Sequence, residues 1–171
     1  MTDDPPSCDV TVEPSWHGVE LDLEALCAQC ARAVFERLAV DPAGVEVSVV
    51  FTDDATIAGL NTDWRGEPKA TDVLSFPADD AAGPATPGAP RLLGDVVLAF
   101  ETCRRDAAEL GRPLGDHVRH LLVHGLLHLR HYDHQTPADA AVMEALEIAV
   151  LDDLGVPDPY AGRALMEESL R

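Results

Sequence analysis

Residues 118–130 read VRHLLVHGLLHLR and run straight into HYDH at 131–134. Apolar residues occupy most sides of the first stretch, which predicts a central, buried helix and not a surface helix with a single apolar stripe. Within it His124 and His128 stand at i and i+4, so both imidazoles leave the same face one turn apart. Two rings placed in this way bind one cation in cis, and a third ligand must come from outside the helix. His134, ten residues beyond His124, follows after a turn and completes the pattern H-x3-H-x5-H.

Three neutral nitrogens leave a fourth tetrahedral position for water, the arrangement of catalytic zinc; structural zinc closes all four positions. Zinc is the expected cation, although imidazole also accepts nickel, copper, cobalt and iron. A lone histidine in an apolar helix is most simply a hydrogen-bonded core residue. Six of the seven histidines, however, lie between His117 and His134, and burying three imidazoles without partners costs on the order of several kcal/mol. Gly125, between the two helical ligands, costs about 1 kcal/mol relative to alanine, which predicts close approach of a strand or substrate there. The same glycine occupies the position where an H-E-x-x-H metalloprotease carries its general base, so the peptidase reading is weakened.

Outward from this segment, the chain reads as an alternation of short strands and helices. Strands are expected at Asp9–Val12, Val45–Phe51 (VEVSVVF), Asp72–Phe76 and Leu92–Phe100. Helices are expected from near Leu21 to Leu38, from a Thr52 or Asp53 cap to Asn61, over Glu101–Leu110, from a Gly115 or Asp116 cap to Arg130, and from Pro137 to Leu154. Residues 62–70 (TDWRGEPKA) read as a loop, and residues 78–91, rich in Ala, Pro and Gly, as a flexible connection between adjacent strands. The expected fold is α+β: a single small mixed β-sheet of about four strands, helices packed mainly on one face, and a zinc site on a central helix. Residues 1–171 are expected to form one domain, with 1–8 flexible.

Cys27 and Cys30 form a C-x-x-C inside LDLEALCAQCARAVFERL, where Leu23, Leu26, Cys27, Cys30, Val34 and Leu38 share one helical face. A redox pair prefers a helix N-terminus and a zinc pair needs further ligands, so these are read as two small core residues.

Of 171 residues, 46% are hydrophobic and 25% charged, an ordinary globular balance. Thirty-one acidic against 12 basic residues give a net charge of −19, and Lys69 is the only lysine. Such a surface repels polyanions at long range, which argues against general nucleic-acid binding through counterion release. No apolar run reaches the roughly 18 residues of a membrane span, and MTDDPPSCDV has no signal-peptide pattern, so a cytoplasmic chain with no membrane or DNA partner is expected.

HGLLHLRHYDH at 124–134 resembles the signature of the YbeY family of bacterial endoribonucleases, H-G-x-L-H-L-x-G-Y-D-H, at every fixed position but one. LNTDWRGEPKATDVLSFP at 60–77 followed by LLGDVVLAF is similar to a second family block, and the likeness covers most of residues 20–157. The resemblance implies an α+β fold, one zinc ion held by His124, His128 and His134, and single-stranded RNA as substrate. It further implies work in small-subunit rRNA maturation and ribosome quality control, with ribosomal or ribosome-associated proteins supplying affinity that the acidic surface lacks. Arg65 matches the arginine that the family uses in its cleft and is the expected catalytic residue, gripping phosphate bidentately. Lys69 and Arg91 are expected to extend a basic rim, and Asp72 and Asp133 either hold ligand imidazoles or Arg65 in place or cap turns. The one departure, His131 for glycine, predicts a strained left-handed helix end whose ring faces solvent or lines the metal site. The alternatives are a zinc peptidase-like hydrolase and a non-catalytic ribosome-associated factor with a structural metal.

Overall fold

The structure, a computed structural model, describes residues 6–78 and 88–161. Four strands, β1 (Ser7–Val12), β2 (Val45–Thr52), β3 (Val73–Pro77) and β4 (Arg91–Ala99), form one mixed sheet in the order β1-β2-β4-β3. β1 and β4 run parallel to β2, and β3 pairs antiparallel with β4 as the outer strand. The two-residue period of the strands splits the core. Val47, Val49, Phe51, Val96 and Leu98 enter the main core on one face, while Leu74, Val97 and Ala99 meet Ile57 on the other.

Five helices accompany the sheet among the described residues: α1 (Leu23–Leu38), α2 (Asp54–Arg65), α3 (Phe100–Glu109), α4 (Leu114–Leu129) and α5 (Pro137–Asp153). Among the described residues, α2 covers the minor face through Ile57 and Leu60. The main face carries α4 at its centre, packed against α1, α3, α5, β3 and β4. Enclosure on so many sides is why α4 reads as apolar almost all round: Val118, Leu121, Leu122, Val123, Leu126, Leu127 and Leu129 are all buried. No helix among the described residues is long and apolar enough to cross a membrane.

Several boundaries differ from the sequence reading. β1 takes in Ser7 and Cys8, because both pair with β2 at Glu46 and Val47. α1 begins at Leu23, capped by Asp22, whose carboxylate accepts the Ala25 N–H at 3.1 Å. α2 runs a turn past Asn61: that side chain is buried and donates to the Lys69 carbonyl at 3.0 Å, and the helix ends at Gly66 in a left-handed conformation (φ 69°). α4 starts earlier than expected, with Pro113 at its cap and no side-chain cap from Gly115 or Asp116. Of the connection 78–91, residues 79–87 lie outside those described, as do residues 1–5. At its ends Ala78 N–H donates to the Leu93 carbonyl (2.8 Å) and Arg91 opens β4, so these two continue the ladder.

Candidate metal centre

α4 delivers His124 and His128 to the surface beside β3, and the chain then reverses to bring in His134. The reversal is a Schellman motif: the Tyr132 N–H donates to the Leu127 carbonyl (3.1 Å) and the His131 N–H to the His128 carbonyl (2.9 Å). His131 takes the left-handed position of that motif, with φ 70°, and is exposed. Left-handed backbone at this residue was expected from its place in the sequence, and the ring meets both expectations, facing solvent while also lining the cleft.

The three rings converge. Their centroids are 4.5 Å (His124–His128), 5.7 Å (His124–His134) and 5.2 Å (His128–His134) apart, and one nitrogen from each lies within 4.8 Å of the others. The Nε2 atoms of His124 and His128 face each other at 3.0 Å. Both Nδ1 atoms are engaged elsewhere: His124 donates to Glu147 Oε1 (2.5 Å) and His128 to the Tyr132 carbonyl (2.9 Å). Those acceptors assign the protons to Nδ1 and leave two Nε2 lone pairs pointing at one another, a repulsive arrangement unless a proton or a metal cation lies between them. Two nitrogens on one tetrahedral zinc ion stand roughly 3.3 Å apart, so the donor set fits such a cation. Burial, followed by the adjacent His124, lowers the His128 pKa and keeps the ring neutral, the form that coordinates.

Glu147 is the functional residue that sequence reasoning missed. It lies in α5 on the face that buries Met143, Val150 and Leu151, and is itself only 1% exposed. Burial alone would raise its pKa. Hydrogen bonds from His120, His124 and Tyr160 outweigh burial and lower it to about 2. Tyr160 donates its hydroxyl to Oε2, and His120 Nε2 lies 3.5 Å from the same oxygen. The available signal was a carboxylate on the apolar stripe of α5, where a charge is retained only with partners.

Asp72 and Asp133 do not hold the ligand imidazoles by hydrogen bonds. Asp133 accepts the His134 N–H (2.7 Å), and Asp72 accepts the Val73 N–H (2.8 Å) and the Thr71 hydroxyl (3.3 Å), so each carboxylate is engaged by its own chain neighbours. Residue 125 lies against the sheet: a Cβ there would stand 2.8 Å from Val96 Cγ1 and 3.1 Å from Ser75 Oγ. Close approach of a strand therefore accounts for the glycine.

Arg65, the last residue of α2, reaches this region around β3. It lines one cleft of about 660 Å³ together with Asp72, Ser75, His124, His128, His131 and His134. Arg65 and the three histidines are thus brought together. Lys69 and Arg91 do not line the cleft, and Lys69 pairs with Glu67 at 3.6 Å instead. Cys27 and Cys30 are buried in the main core, as read from the helical face they share.

Comparison with known proteins gives a consistent result. The family model described as Endoribonuclease YbeY matches residues 12–155. Proteins named Endoribonuclease YbeY are similar to this chain: one from Paramagnetospirillum magneticum is 50% identical over 148 residues, covering 86% of this chain and 90% of that protein. Another, from a Jannaschia species, is 51% identical over 154 residues, covering 86% and 94%. Among solved structures, the solution structure of TM1509 from Thermotoga maritima aligns with a TM-score of 0.52 at 22% identity, covering 86% of this chain and 91% of that one, a likeness of fold.

Proposed function

The chain belongs to the endoribonuclease YbeY family, and on that premise we propose that it is a zinc-dependent endoribonuclease that cuts single-stranded RNA during rRNA maturation. In this reading the whole chain acts as one domain in the cytoplasm. The observation that carries it is the facing pair of Nε2 atoms on His124 and His128, 3.0 Å apart with both Nδ1 protons donated away, in the cleft that Arg65 lines.

His124, His128 and His134 hold the cation. The chemistry a bound cation supplies is Lewis acidity toward a phosphoryl oxygen and a lowered pKa for a water. Arg65 binds the scissile phosphate through its planar guanidinium and neutralises the negative charge that grows on the phosphoryl oxygens as the bond breaks. Glu147, accepting from His124, fixes the orientation and tautomer of that ring and raises its basicity as a ligand. The net charge of −19 makes weak intrinsic RNA affinity the expectation, so ribosomal or ribosome-associated proteins are proposed to deliver the substrate.

A peptidase is disfavoured by the packing at residue 125. A glutamate there would drive its Cβ into Val96 and Ser75, so the helix has no room for a general base in the metalloprotease position. The test offers metal-loaded protein a single-stranded RNA and an unstructured polypeptide. RNA cleavage that chelation abolishes is expected, and Arg65→Ala reduces its rate about 10²–10³-fold while the metal content stays unchanged. Cleavage of polypeptide alone would reverse the assignment. Cleavage of neither substrate would favour a non-catalytic ribosome-associated factor.

A further inference from the structure

A second group of metal-ligating side chains lies behind the wall of the histidine cleft. Asp72 at the entrance to β3, Asp106 on α3 and His117 near the start of α4 each offer one donor atom, and these atoms lie within 4.8 Å of one another. They border a separate cavity of about 740 Å³ that is also lined by Glu109, Arg112 and Asp158. Asp72 lines both cavities.

His117 makes this more than an acidic cluster. It is 3% exposed, and neither ring nitrogen has a hydrogen-bond partner. An imidazole offers one donor and one acceptor when neutral, and leaving both unmet in a buried place is costly and uncommon. One of those nitrogens points into the space shared with the two carboxylates. Donor atoms within 4.8 Å of one another surround a common point that one cation can occupy once the side chains close on it.

The surrounding charges point the same way. Burial, and then the Asp72 charge, raise the Asp106 pKa, with Glu109 and Asp54 adding to the repulsion and Arg105 opposing it. Arg105 Nε lies 4.0 Å from Asp106 on an exposed side chain. Arg112 lines the cavity, but its guanidinium donates to the Pro159 carbonyl and lies 3.5 Å from His120 Nδ1. Burial lowers the His117 pKa against the opposing effect of Asp72, so the ring is favoured in its neutral, coordinating form.

We propose that Asp72, Asp106 and His117 form a second divalent-cation site, of the manganese class, that ties the entrance of β3 to α3 and α4. Carboxylate oxygens suit manganese among the first-row divalent ions, and the single imidazole sets this donor set apart from the all-oxygen sites of magnesium and calcium. Because Asp72 belongs to both cavities, the cation also fixes one wall of the histidine cleft. The site uses none of the three clustered histidines, so it stands or falls independently of the first centre.

Manganese titration of the metal-free full chain tests this, in a His124→Ala/His128→Ala/His134→Ala background and at 150 mM salt (on the order of physiological screening). One equivalent of Mn2+ is expected to survive in that background, with spin-echo resonance showing coupling to a single imidazole nitrogen. Adding Asp106→Asn, on a partly exposed side chain, should weaken binding at least tenfold while circular dichroism and the melting transition show a folded chain. If the triple variant binds no stoichiometric Mn2+, or the bound ion shows no nitrogen coupling, the proposal is overturned. It is equally overturned if Asp106→Asn leaves affinity unchanged, since surface carboxylates would then hold the ion. Should Asp106→Asn fail to fold, the nitrogen coupling in the triple variant decides.

Discussion

Replacing Gly125 with alanine sets two forces of known sign against each other in the middle of α4. Alanine favours a helix over glycine by about 1 kcal/mol, so an exposed site would gain that much. Here the new Cβ would stand 2.8 Å from Val96 Cγ1, 3.2 Å from Val96 Cγ2 and 3.1 Å from Ser75 Oγ. Ser75 can rotate its hydroxyl away. Val96 cannot move: it is fully buried and held in the ladder between Val49 and Ser75. Overpacking of this kind costs about 1–3 kcal/mol, so the net effect is destabilisation of up to about 2 kcal/mol. Urea unfolding of the metal-free chain measures it without the contribution of metal binding. The control is the same substitution in a Val96→Ala background, where both methyls are gone and the helix preference should dominate. A coupling of about 1–3 kcal/mol between the two sites is expected. A Gly125→Ala chain more stable than the parent, or an equal effect in both backgrounds, would refute the packing account of this glycine.

Three further outcomes follow from the structure. Glu147→Gln should retain the fold yet weaken zinc binding about 10–100-fold, because His124 loses its charged acceptor; competition against a chromophoric chelator reads this, and unchanged affinity would remove Glu147 from the site. His131→Gly should stabilise the chain by about 0.5–1 kcal/mol, the left-handed strain relieved outweighing the added freedom of the unfolded chain; thermal unfolding checks it, and a lower melting temperature would show that the His131 side chain contributes more than its backbone costs. Burial pushes the Cys30 thiol from 9.0 up to about 12 and Cys8 to about 11. With the folded pKa the higher, the unfolded chain ionises first, so these thiols withdraw stability as pH rises above 9.0 toward 12. Cys30→Ala should flatten that alkaline decline, and rapid labelling of Cys30 at pH 8 in the folded chain would contradict its core placement.

The sequence by itself determined the elements and the three clustered histidines. Strand alternation, the apolar helix around His124 and the i, i+4 spacing are local properties, written in side-chain periodicity and insensitive to what packs alongside. Left-handed backbone at His131 is local in the same sense, since the Schellman turn closes over only six residues, Leu127 to Tyr132. Tertiary structure decided what depends on contacts between distant segments. Glu147 and Tyr160 meet His124 across 23 and, through Glu147, 13 positions of chain, and no spacing rule links them. Arg65 entered the cleft only because α2 ran a turn beyond Asn61, held there by a buried side-chain bond to Lys69. Asp72, Asp106 and His117 come from three elements, and the burial of His117 that gives their grouping meaning arises only once α4 is enclosed by its neighbours. Local periodicity fixes which way a residue faces within its own element, whereas packing fixes what it faces.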